Sequence, residues 1–224
     1  MNSTGDPTTK RVGGGPEATA SRSAAKIQAI TDAARSVFLR KGYGGASMDE
    51  IAAAAAVSKQ TVYKHFADKQ RLFEHVITND IEQAESASQP LVSALRESDD
   101  LERDLRKFAR QHIALVTQPH IVQMRRLIIG EADRFPDLAG AWYERGPERG
   151  YATLAEEFEA LARLGRLRVD DALMAAQHFN WLVLSVALNR AMFLGAHASM
   201  SRRELERFAD GAVRVFLAAY STGS

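Results

Sequence analysis

The chain has 224 residues, of which 46% are hydrophobic and 25% charged, enough for one or two domains around a sizeable core. It has no cysteine, which excludes disulfides, thiolate nucleophiles and cysteine metal sites. Net charge is only +1, yet residues 1–75 carry +4 and residues 76–224 carry −3, a division that suits a phosphate-binding surface at the positive end.

Residues 1–22 are rich in Gly, Ser, Thr and Pro and read as a disordered tail. Its Lys10, Arg11 and Arg22 could form a basic arm, but a solvated tail is the plainer reading. No hydrophobic run with a cleavage site follows the start. The longest apolar stretch, 181–188, is about half of the roughly 20 residues that span a bilayer. No membrane partner is expected, and the cytoplasm is the default location.

From residue 23 onward every segment has a helical period and no strand pattern stands out, so the fold class is all-α with about nine helices. The first helix, 23–41, puts Ile27, Ile30, Ala34, Val37 and Phe38 on one face and stops at Gly42. Ser47 to Glu50 has the spacing of a capping box and opens the second helix. A third short helix, 58–65, is capped by Ser58. A fourth starts at Asp68, turns Leu72, Phe73, Val76, Ile77 and Ile81 inward, and is bounded by Pro90. Further helices are expected at 100–117, 120–133, 137–164 (kinked or broken at Gly146-Pro147), 171–195 with Asp170 as cap, and 202–220.

Within 47–69, SMDEIAAAAAVSKQTVYKHFADK, two helices meet at a tight turn. Ile51, Val57, Val62 and Phe66 mark a buried side, while Lys59, Gln60, Thr61, Tyr63, Lys64 and His65 fill the second helix with polar and basic groups. A DNA-reading helix is held against its supporting helix in this way. The last two helices, 171–195 and 202–220, are apolar on more than one face and need a second partner. The simplest is the same pair in another subunit, giving a homodimer through an intermolecular four-helix bundle, with Leu184, Leu188, Phe208, Val215 and Phe216 as interface candidates.

Residues 26–73 resemble the DNA-binding head of the tetracycline-repressor (TetR) family of bacterial regulators. The resemblance rests on Phe38 with Gly42-Tyr43, on 47–52 (SMDEIA), and on Val57-Ser58 followed by 61–66 (TVYKHF), Lys69 and Leu72-Phe73. Residues 125–151 are similar to the C-terminal domain of the AefR-like subgroup. The resemblance divides the chain at 23–68, the head, and 69–224, a ligand-binding and dimerisation domain.

It implies that the short third helix enters the major groove of double-stranded operator DNA. Lys59, Gln60 and Thr61 become candidates for base edges. Tyr63, His65, Ser47 and Lys69 match phosphate-contacting positions, and Lys64 could serve either backbone or base. The family also encloses a small-molecule pocket, with His112, Met124, Ile128, Trp142, Phe158, His178, Phe179 and Trp181 as candidate lining. Each of these is also an ordinary core candidate. Arg125-Arg126 read as surface or inter-helix pairs.

No catalytic constellation, metal set or cofactor loop is present in the sequence, so no enzyme and no cofactor are expected. The expected protein is a homodimeric repressor released from a palindromic operator by a small hydrophobic or amphipathic inducer. An activator, a corepressor-dependent regulator, or a helical binding protein with a vestigial head remain as alternatives.

Overall fold

The structure, a computed structural model, describes residues 16–195 and 200–222. They form ten α-helices and one π-helical turn: α1 (Pro16–Gly45), α2 (Met48–Ala54), α3 (Lys59–His65), α4 (Lys69–Ser93), α5 (Leu101–Val116), α6 (Pro119–Glu131), α7 (Pro136–Tyr143), the π turn (Glu144–Glu148), α8 (Arg149–Arg163), α9 (Ala172–Leu194) and α10 (Arg202–Tyr220). The fold class is all-α, as the periodicity predicts. The count differs because the helix expected over 137–164 is broken at Gly146-Pro147. Pro147 has no N–H to donate, and the chain absorbs this as one wider turn between α7 and α8.

Several boundaries depart from expectation. Helix α1 starts at Pro16, so part of the expected tail is helical; residues 1–15, with Lys10 and Arg11, lie outside the described residues. At the other end Gly42 adopts φ 74°, the left-handed geometry its position anticipates, and helical turns resume to Gly45. Pro90 sits inside the last turn of α4 rather than beyond it. Asp171, not Asp170, caps α9, its side chain accepting from the Met174 N–H. The capping box at 201–204 is complete, but the one at 47–50 is half made. Ser47 accepts from the Glu50 N–H, while the Glu50 carboxylate turns to Arg40 (2.9 Å) and Lys41 (2.8 Å) and ties α2 to the end of α1.

Two apolar cores organise the chain. One gathers Ile30, Val37 and Phe38 of α1, Ile51 of α2, Val62 of α3 and Leu72, Phe73 and Val76 of α4, and it extends to Met124 and Ile128 of α6 and Leu138 of α7. Phe38 and Phe73 meet edge to face at 4.7 Å within it. The second core gathers α5, α8, α9 and α10 around Phe158, Phe179 and Phe216. Arg110 of α5 braces it from outside with a two-point bond to Asp210 of α10, both 2.7 Å. Helices α4 and α6 therefore contribute to the head as well as to the second domain.

Candidate nucleic-acid interface and inner cavity

The turn between α2 and α3 is closed by an αL residue. Ala56 has φ 53°, and the Val57 N–H reaches back to the Ala52 carbonyl at 3.1 Å while the Ala56 N–H bonds Ala53 at 3.2 Å, a Schellman ending. The alanine run keeps α2 slim, so α3 packs closely with Val62 and Phe66 buried and Val57 partly so. Helix α3 then offers its opposite side to solvent. Lys59, Gln60, Tyr63 and Lys64 are exposed, and Thr61 and His65 are half-buried.

The positions carried over from the resemblance fall into two groups. Gln60, Tyr63 and Lys64 project from α3, and Ser47 stands exposed at the N-terminus of α2. Lys59 is paired with Asp49 of α2 at 2.7 Å; both ends are exposed, so a nucleic acid could displace the carboxylate at little cost. Thr61 shares a hydroxyl contact of 2.8 Å with Ser58, the cap of α3. Lys69 opens α4, as expected, and has partners of its own in the chain. Its ammonium donates to the carbonyls of Tyr43 (2.8 Å), Ala46 (3.0 Å) and Gly44 (3.5 Å) and lies 4.6 Å over the Tyr43 ring. Through these contacts Lys69 clasps the end of α1.

Behind the head lies a cavity of about 220 Å³, walled by α4, α5, α6, α7, the π turn, α8 and α9. His112, Met124, Trp142, Phe179 and Trp181 of the expected residues line it. The other three do not. Ile128 is buried in the head-side core, and Phe158 is at the centre of the second core. His178 faces outward, its Nδ1 2.6 Å from the Tyr220 hydroxyl. Helical period alone could not separate cavity from core, because both faces are apolar.

Polar groups punctuate the cavity wall. His112 Nε2 donates to Asn180 Oδ1 at 2.9 Å, so the half-buried amide oxygen of Asn180 has a partner. Burial holds His112 below the ordinary imidazole value of 6.5; the Asn180 bond opposes this, and the nearby Arg125 adds to it. A depressed native value means the unfolded chain binds the proton more readily. The neutral ring's contribution is present above 6.5 and is lost as pH falls below that value. Between about pH 7 and about pH 5 the thermal midpoint is expected to fall, and His112→Gln is expected to flatten that decline. His75 is displaced in the same direction by burial, so the difference between wild type and variant is the quantity to measure.

Two further groups escaped sequence reasoning. Asp80 of α4 is buried on the cavity wall, its Oδ1 accepting from Arg35 Nε of α1 at 2.8 Å while Oδ2 has no partner. Burial works against the Arg35 charge, but the bonds to Asp80 and Asp32 outweigh it and hold the guanidinium protonated. Arg125 of α6, expected in a surface or inter-helix pair, is turned into the cavity. Its guanidinium carbon is 4.5 Å from the Trp142 ring centre and its Nε is buried without a partner. The sequence carries no sign of either, since a charged residue on a helix faces solvent far more often than a cavity.

The five residues expected at a dimer interface are placed differently within the chain. Leu184, Leu188 and Phe216 are buried in the chain's own second core, and Phe208 packs partly against it. Of the five, Val215 is exposed (55%). Helix α9 does have a second apolar face: Leu182, Val186 and Phe193 are exposed, Phe193 at 81%. A wider open groove bordered by α5, the start of α6, α9 and α10 carries charges that pair with one another, Arg106 with Glu102 and Arg202 with Glu206.

A helix-turn-helix head joined through shared helices to a second helical domain is the architecture of a DNA-binding protein by class. Comparison with known proteins gives the family. Residues 30–76 match the model of bacterial regulatory proteins of the tetR family, and residues 103–222 match the AefR-like transcriptional repressor C-terminal domain. The chain belongs to the TetR family of bacterial transcriptional regulators, in its AefR-like branch. A solved structure from Mesorhizobium loti, assigned to the TetR family, is 42% identical with a TM-score of 0.84, covering 89% of this chain and 98% of that one. The flavonoid-responsive regulator FrrA is 31% identical with a TM-score of 0.70, covering 90% and 100%. Among curated relatives, the transcriptional repressor AcnR of Corynebacterium diphtheriae is 28% identical over 64% of this chain and 68% of its own length. The transcriptional activator FasR of Mycolicibacterium smegmatis is 39% identical, but the match spans only 33% of this chain and 32% of that protein. No helix among the described residues is long and apolar enough to cross a membrane.

Proposed function

We propose that this protein is a homodimeric repressor that leaves a palindromic operator when a small hydrophobic or amphipathic inducer fills the cavity. One observation carries the reading: α4 and α6 serve the head core and the cavity wall at once. Helix α4 places Leu72, Phe73 and Val76 in the head and Asp80 on the cavity. Helix α6 uses Met124 for both, with Ile128 beside it in the head core. A ligand that prefers a different setting of these helices must weaken DNA binding by the factor with which DNA weakens its own binding. Equal affinity for both settings would shift nothing.

The likeness to a repressor over 64% of the chain supports the sign, whereas the likeness to an activator covers too little of the chain to bear on it. The exposed apolar face of α9, with Val215 exposed on α10, supports a dimer built from Leu182, Val186, Phe193 and Val215. Gln60 and Lys59 then read base edges, with Tyr63, Lys64 and Ser47 on the backbone.

Purified protein should bind duplex from its own upstream region more tightly than a scrambled duplex, with affinity falling steeply as salt rises. Val186→Glu places a charge in the proposed interface and is expected to yield monomers in sedimentation analysis and to abolish binding to a two-half-site duplex. A Val186→Glu protein that sediments and binds as wild type would overturn the dimer surface. Equal, weak binding of wild-type dimer to both duplexes would overturn the repressor reading.

A further inference from the structure

Resting on the reading of the cavity as the inducer site, we infer that its ligand is a small aromatic carboxylate held by Arg125. Charge is the first constraint. Arg125, Arg145 and Arg149 line the cavity, and the one acidic group on its wall among the described residues, Asp80, is already bonded through Oδ1 to Arg35 of α1. Arg145 is spent in part on the Thr78 hydroxyl, at 2.8 Å. Arg125 forms no ion pair among the described residues, and its Nε is buried without any acceptor. A guanidinium does not escape burial by losing its proton, so its charge calls for an anion. Nε with one terminal nitrogen is the edge that takes a carboxylate in two parallel bonds, and here the Nε half of that fork is vacant.

Shape narrows the class. Trp142 already packs on the Arg125 guanidinium, and Phe108, Phe179, Tyr151 and Trp181 supply further ring surfaces around the cavity. Flat walls bounded by a cation favour a planar ring with an acid at one end. The volume of about 220 Å³ lies below the roughly 300 Å³ at which drug-sized pockets begin, so one ring with a short arm fits best. The His112–Asn180 pair provides a second polar point for a ring substituent.

The chain's two tryptophans, Trp142 and Trp181, both line this cavity, so intrinsic fluorescence reads occupancy directly. trans-Cinnamate and cinnamyl alcohol share a carbon skeleton and differ in charge. Wild-type protein is expected to bind cinnamate at least about tenfold more tightly than the alcohol near neutral pH. Arg125→Met should bring that ratio to about one, and Arg125→Lys should retain part of it. Far-UV circular dichroism and operator binding of the free variants control for folding. Three results would overturn the inference: equal or tighter binding of the alcohol, a ratio that survives in Arg125→Met, or no quenching by either compound at millimolar concentration. Selective cinnamate binding by a protein that ignores its upstream DNA would sink the repressor reading and leave this inference standing.

Discussion

Asp80→Ala is expected to lower the unfolding free energy by about 2–3 kcal/mol, since removing one end of a buried ion pair strands the other charge. This is below the full range for such pairs because the Arg35 side chain retains 18% exposure, against 8% for Asp80. For a chain of this length that corresponds to a fall of about 5–10 °C in thermal midpoint. Arg35→Met with Asp80→Leu should recover most of the loss, because the replacements leave no uncompensated charge and fill a similar volume. Calorimetry of the two single variants and the double variant gives the coupling energy directly. The same pair joins α1 to the cavity wall, so the double variant should still bind operator but respond less to any inducer. A single variant as stable as wild type would mean that solvent reaches the pair and that it contributes nothing to the junction.

Gln60→Ala is expected to cost operator affinity about ten- to hundredfold, the effect of losing one two-point base contact of about 1–3 kcal/mol. Gln60 is exposed on α3, away from the head core, so stability should hardly change. Affinity for scrambled duplex should also stay as it is. Lys64→Gln offers the contrast: if its charge faces phosphate, as proposed, removing it should weaken every duplex alike and reduce the salt slope by about one. Electrophoretic mobility or fluorescence anisotropy titrations at several salt concentrations separate the two patterns. Equal weakening of specific and scrambled duplex by Gln60→Ala would move that side chain from the base edge to the backbone.

The head was legible because local chemistry specifies it. Ser47, Ser58 and Asp68 are side chains that satisfy backbone N–H groups a fixed three residues ahead, and each caps its helix as the sequence implies. Ile51, Val62, Leu72 and Phe73 follow the 3.6-residue period and are buried. The break at Gly146-Pro147 was equally legible, since proline cannot donate within a helix. Lys69 shows the limit even there. Its spacing matches a phosphate-contacting position, but that its ammonium also donates to three carbonyls at the end of α1 is decided by packing alone.

By itself the sequence determined the all-helical class, the reading helix and the presence of a second apolar face on the last two helices. Each of these depends on neighbours along the chain or on the period of one helix. Which face of α9 is core and which is free was decided by tertiary packing: Leu184 and Leu188 went inward, while Leu182, Val186 and Phe193 stayed in solvent. The cavity is likewise a property of the assembled helices. Arg125 and Asp80 acquire their meaning from groups contributed by other helices, Trp142 from α7 and Arg35 from α1. A helical period reports that a face is apolar, but what that face meets is settled only when the helices pack.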